Sequence, residues 1–218
     1  MKNNLEILYE DNHIIVVVKP FNILSQSDDT KDIDMLTLIK SYLKEKYNKP
    51  GNVYLGLIHR LDRPTGGIMV FAKTSKAASR LSEQIRLNLF TKKYLAIVNG
   101  YFDEKAGVFE DYILKKEDNS SVISNLGKYA KLEYEVLKEK SNLSLVSILL
   151  HTGRHHQIRV QFASRNHPLY GDQRYGKSSK KQLALFAYYL SFNHPVTKEK
   201  LEFIKYPDKV GIWKEFIC

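Results

Sequence analysis

The run HRLDRPTGG, residues 59–67, sets one acidic residue, Asp62, between two arginines and follows it at once with Pro64, Gly66 and Gly67. The residues before it, Val53 to Ile58, and after it, Ile68 to Ala72, are rich in β-branched and aliphatic side chains. That pattern predicts a turn carrying Asp62 where two strands meet. The proline and glycines set or relax φ where the chain must reverse.

Outward from this turn, Ile14 to Val18 predicts a strand stopped by Lys19-Pro20, because proline cannot donate to a sheet ladder and forces its predecessor into an extended form. A polar loop with Asp28, Asp29 and Asp32 follows. Leu36, Ile39 and Leu43 recur at helical spacing after Asp34, a suitable N-cap, so a helix is expected to about Tyr47, ended by Pro50-Gly51. Ala78, Leu81, Ile85 and Leu89 mark a second amphipathic helix, with Lys76, Arg80 and Arg86 on its other face. Tyr94 to Val98, Leu132 to Val136 and Leu143 to Leu150 read as strands. His155 to Ser164 reads as a helix opened by Thr152-Gly153, and Leu183 to Phe192 with Leu201 to Ile204 as a hairpin. Lys115 to Asn125 and Gly171 to Lys181 read as loops. Strands arriving in neighbouring groups with few helices between them predict an α+β fold: one domain, residues 1–218, on a largely antiparallel mixed sheet with a few flanking helices.

The 218 residues suffice for a substantial core without disulfides or metal, and the single cysteine, Cys218, excludes an intramolecular disulfide. This composition fits a reducing, cytoplasmic setting. No basic leader precedes an apolar stretch and no apolar run approaches membrane-spanning length, so neither a signal peptide nor a membrane partner is expected. The 34 Lys and Arg against 24 Asp and Glu give a net charge of +10, which suits a polyanionic partner such as nucleic acid.

Three stretches together carry a family resemblance. The HRLD run resembles the signature of RluA-type RNA pseudouridine synthases. Lys93-Tyr94-Leu95-Ala96-Ile97-Val98-Asn99-Gly100 is similar to their second motif, and Thr152-Gly153-Arg154-His155-His156-Gln157-Ile158-Arg159-Val160 to their third. Leu183 to Phe203, around His194-Pro195, resembles their closing hairpin, so the likeness runs from about Glu6 to the C-terminus. It implies the pseudouridine synthase fold and site-specific isomerisation of uridine in structured RNA, ribosomal or transfer. Because the likeness starts almost at once, a catalytic domain alone is expected, without a separate N-terminal RNA-binding domain, and a monomer is expected as well.

That isomerisation breaks the N1–C1′ bond, turns the held base and rejoins it through C5. Nothing is oxidised or hydrolysed, so no cofactor is expected. A carboxylate and a closed pocket are needed. The resemblance makes Asp62 the essential aspartate, Arg159 the cation that keeps it ionised, Tyr94 the ring packed on the base, and Ile158 a contact to the flipped uracil. Arg60 matches a position that fills the space the base leaves. Lys92, Lys93 and Arg154 are implied near the mouth as phosphate contacts, and His156 as a structural or RNA-contacting group. On a helix, Arg159 would share a face with His155 and His156.

Each residue read alone has a plainer meaning. Asp62 would be a turn aspartate, Tyr94 a core aromatic, Arg159 a surface cation, and Lys92 with Lys93 a solvated pair. His151, His155, His156 and His167 lack a companion Cys or an H-E-x-x-H pattern, so no metal site is expected. The sequence departs from the family wording at Gly66, Phe186 and Gln161, none of which is assigned chemistry. Two other readings stand beside the isomerase. One is a non-catalytic RNA-binding protein on the same fold; the other is a glycoside or nucleoside hydrolase, for which no second carboxylate is evident.

Overall fold

The computed structural model describes residues 5–30, 32–176 and 180–217, so Cys218 and part of the loop expected at Gly171 to Lys181 lie outside the described residues. Contacts group the chain into two compact units, Met1–Phe90 with Tyr189–Lys205, and Thr91–Tyr188 with Tyr206–Cys218.

In the first unit, β1 (Glu6–Glu10) pairs antiparallel with β2 (Ile14–Lys19), and β2 with β4 (Gly66–Ala72). All of β2 is buried, which explains its unbroken Ile-Ile-Val-Val-Val wording: a strand covered on both faces has no polar side to show. Ile14, Val16, Ile68 and Val70 share a core with Ala77 and Leu81 of α2 (Ser75–Arg86) and with Phe90, Leu190 and Phe192. Helix α1 (Met35–Lys46) begins where the sequence places it, Asp34 Oδ1 accepting from Thr37 N at 3.1 Å. It buries Met35, Ile39 and Leu43. Residues 189–193 pair antiparallel with β11 (Lys200–Ile204), as the expected hairpin requires.

The second unit is an antiparallel run in which β5 (Thr91–Asn99) pairs with β9 (Leu143–Leu150), β9 with β8 (Lys128–Lys140), and β8 with β6 (Ala106–Lys115). The short β7 (Ser121–Ile123) adds to β6. Helix α3 (Gln157–Ala163) sets Val160 against Ile113 and Ala130, and Phe162 edge-on to Phe109, Tyr134 and Phe102. β10 (Leu185–Asn193) supplies residues to both units.

Several expectations are corrected. β1 and β6 were not foreseen, and β7 falls inside a stretch expected to be loop. β3 is only Gly56–Leu57, not Val53 to Ile58. Helix α3 starts at Gln157, because His156 has φ 53° and cannot continue a right-handed helix. His155 and His156 therefore precede the helix and do not share its face with Arg159.

Candidate active site

The Asp62 turn belongs to the first unit. β3 pairs with β4 at Gly56↔Ala72 and Leu57↔Phe71, then leaves it. The next register position is kept by a side chain: His59 Nε2 accepts from Val70 N at 3.2 Å. The ring also lies edge-on to Phe90. Freed from the ladder, the backbone turns through Asp62, whose carbonyl accepts from Thr65 N at 2.9 Å. Gly67, at φ 127°, completes the return into β4 in a conformation that suits glycine alone. Two buried polar side chains hold this turn, Lys19 at the end of β2 and Ser25 in the segment after it. Ser25 Oγ donates to Leu61 O at 2.7 Å and accepts from Leu61 N at 3.1 Å.

Lys19, fully buried, donates from Nζ to Pro20 O at 3.0 Å, Ile23 O at 2.6 Å and Arg63 O at 3.1 Å. Three carbonyls match the three protons of an ammonium. Burial pushes its pKa down to about 7 against the pull of the Asp62 charge, with Arg63 adding a like-charge push downward. Asp62 itself is half-buried and Arg60 exposed. Arg63 pairs with Asp32 at 2.7 Å on the surface.

In the second unit, Tyr94 lies on β5 opposite Ile148 and is 7% exposed. Lys93, opposite Leu149, and Lys92 are half-buried rather than solvated, and burial lowers the Lys92 pKa. Arg159 is buried on α3 and gripped by Asp172, its Nε donating to Oδ2 and its Nη2 to Oδ1, each at 2.8 Å. Asp172 Oδ1 also accepts from Arg174 N and Tyr175 N. Burial pushes the Asp172 pKa up, but the Arg159 hydrogen bonds outweigh it and hold the group below the usual carboxylate range. The Arg159 guanidinium also sits 5.2 Å from the Tyr175 ring centre. Gly171 makes this corner possible: a Cβ there would lie 2.1 Å from Gln182 O.

Ile158, the neighbour of Arg159, is 5% exposed. His156 Nδ1 is 2.8 Å from Tyr175 OH, and its ring stacks on His155 at 3.8 Å. Arg154 commits Nε to Tyr129 O at 2.7 Å. Its loop is tied by Gln157, whose Oε1 accepts from Thr152 Oγ1 and Arg154 N. The other clustered histidines have neighbours of their own, His151 with Glu133 and His167 with Asn99 O. Among the described residues no three His, Cys, Asp or Glu side chains converge as metal ligands would.

Lys19, Ser25, Asp172 and Tyr175 were not singled out from the sequence as site residues. A lysine beside a proline at a strand end, and Gly171-Asp172 followed by Tyr175, were the only local signals.

A family model described as RNA pseudouridylate synthase matches residues 13–164. The chain belongs to the RNA pseudouridine synthases, of the RluA type. These enzymes are isomerases, and the chain is one of them. It is 35% identical over 215 residues to an RNA pseudouridine synthase of Aquifex aeolicus, covering 91% of this chain and 68% of that one. It is 36% identical over 191 residues to ribosomal large subunit pseudouridine synthase D of Borreliella burgdorferi, covering 83% and 58%. With ribosomal large subunit pseudouridine synthase C of Buchnera aphidicola subsp. Acyrthosiphon pisum, identity is 30% over 215 residues, covering 92% and 66%. The synthase thus spans roughly 58–68% of the length of these relatives. A solved human protein, RNA pseudouridylate synthase domain containing 4, shares the fold at a TM-score of 0.78, with 24% identity over 94% of this chain and 89% of that one. No helix among the described residues is long and apolar enough to cross a membrane.

Proposed function

We propose that this synthase isomerises a defined uridine in structured ribosomal or transfer RNA, with Asp62 as its catalytic carboxylate. The names of its relatives favour large-subunit ribosomal RNA. The observation that carries the reading is the Asp62 turn: the one acidic residue of the HRLD run is kept half-buried on a backbone pinned from Leu61, Arg63 and Thr65. Asp62 captures or stabilises the electron-poor intermediate while the detached uracil is turned and rejoined through C5. The target nucleotide is extruded, at a cost of about a few kcal/mol of stacking that an aromatic face partly restores. Tyr94 supplies that face, Ile158 touches the base and Arg60 fills its place in the RNA. Arg159, gripped by Asp172, supplies a fixed positive charge to the catalytic chemistry.

Lys92, Lys93, Arg154 and His156 contact phosphates or flanking nucleotides. The chain acts as a single catalytic domain, a reading supported by the family match running from residue 13 to 164. The synthase acts as a cytoplasmic monomer without cofactor.

Incubation of unmodified ribosomal and transfer RNA transcripts with the purified synthase, followed by pseudouridine mapping, tests this. Pseudouridine at a defined position with no cofactor added is expected. RNA binding without modification points to the non-catalytic reading, and release of free uracil to a hydrolase.

A further inference from the structure

Resting on the reading of Asp62 as the catalytic carboxylate, the geometry points to Ser25 as a positioning residue for the reaction. Ser25 is 5% exposed and its hydroxyl serves Leu61 in both roles, donating to the carbonyl at 2.7 Å and accepting from the N–H at 3.1 Å, with the Met69 sulfur a more distant neighbour at 3.7 Å. Leu61, 6% exposed, immediately precedes Asp62, and its carbonyl belongs to the peptide unit that joins the two. The orientation of that peptide sets where the Asp62 side chain leaves the backbone.

Ser25 is well placed to act as a fixed post. Its neighbour Leu24 accepts from Met35 N at 2.8 Å and bridges Asp34, so the segment is tied to the N-terminus of α1. The path from a capped helix to Asp62 therefore runs Met35, Leu24, Ser25, Leu61, each step a hydrogen bond or a chain neighbour. On the far side of Asp62, Lys19 holds Arg63 O at 3.1 Å. The Ser25 clamp acts on the residue before Asp62 and the Lys19 clamp on the residue after it.

Ser25 makes no contact of its own with reacting atoms in this scheme. Its loss leaves the buried Leu61 N–H and C=O without this partner, and the peptide can then rotate to find others. A carboxylate displaced by about 1 Å loses on the order of 100-fold in rate while the binding surface is unchanged.

The test compares wild type, Ser25→Ala, Ser25→Thr, Ser25→Cys and Asp62→Ala in single-turnover pseudouridine formation at saturating RNA. RNA affinity and thermal midpoint are measured in parallel. Ser25→Ala is expected to lose about 10- to 100-fold in the single-turnover rate. Its RNA affinity should stay within about twofold of wild type, and its Leu61 amide should exchange faster with solvent. Ser25→Thr, which keeps the hydroxyl, recovers most of the rate. If the alanine variant does not fold, Ser25→Cys serves instead, with a weaker donor in similar volume and a rate loss of the same sign. Folded Ser25→Ala or Ser25→Cys reacting at the wild-type rate overturns the inference, as does a rate loss matched by an equal loss of RNA affinity. An active Asp62→Ala overturns the underlying reading of Asp62 instead, so the two failures are distinct.

Discussion

Replacing Asp172 by asparagine separates what holds Arg159 from what Arg159 does. The Asp172 side chain is wholly buried and that of Arg159 is 7% exposed, with two hydrogen bonds of 2.8 Å between them. Asparagine keeps the shape, but its amide must turn N–H toward one of the two Arg159 donors, and the cation loses its counter-charge. Removing one partner of a buried pair costs about 3–5 kcal/mol. In a chain of this size each kcal/mol is worth about 2–4 °C, so the thermal midpoint should fall by roughly 10 °C. With the guanidinium no longer fixed, the rate of pseudouridine formation should drop on the order of 100-fold.

The companion variant Arg159→Met with Asp172→Leu replaces the whole pair by apolar side chains, an exchange that is often neutral or stabilising. It should regain the midpoint and none of the activity. Scanning calorimetry and single-turnover assays read the two effects separately. A wild-type midpoint for Asp172→Asn would refute the electrostatic argument. Recovery of both stability and activity in the double variant would show that the Arg159 charge has no part in the chemistry.

Two further predictions concern pH. Burial pushes the Glu10 pKa up, but hydrogen bonds from Lys46, Lys73, Tyr47 and Tyr42 outweigh it and bring the group down to about 2. Its stabilisation is therefore full above about pH 4.5 and lost as pH falls toward 2. With Lys46 44% exposed and screened, Glu10→Gln should cost about 1–2 kcal/mol at pH 6 and only a few tenths of that or less by pH 2, read from urea midpoints. Lys19 has the opposite trend. Its folded pKa of about 7 lies below that of an unfolded lysine, so between about pH 7 and pH 10 the unfolded chain holds more protons and stability rises with pH. The stability of wild type relative to Lys19→Met should rise across that interval by about 2–4 kcal/mol, and a difference independent of pH would contradict the lowered pKa of Lys19.

The parts of the fold that were legible in the sequence are those whose cause is local. The Ile14 to Val18 run, the Asp34 cap and the spacing of Ile39 and Leu43 each report their own burial, and each appears where expected. The turn at Asp62 was readable for the same reason, from its proline and glycines. The pieces that were missed depend on partners far along the chain. β7 is three residues, Ser121-Val122-Ile123, too short to show alternation and set in a polar stretch, and it becomes a strand because β6 lies beside it. The start of α3 was set two residues early because helical spacing alone does not show that His156 takes a left-handed conformation and bonds to Tyr175. Lysine is almost never fully buried, so Lys19 gave no sign of the three carbonyls that surround it. The Arg159–Asp172 pair likewise joins a helix to a stretch that read only as polar loop.

Whether Asp62 carries the chemistry is decided by comparing pseudouridine formed by wild type and by Asp62→Ala on the same unmodified ribosomal RNA, with RNA affinity measured on both. Pseudouridine is expected at a defined site with wild type and none with Asp62→Ala at equal affinity. Pseudouridine formed by Asp62→Ala at a rate near that of wild type would contradict it.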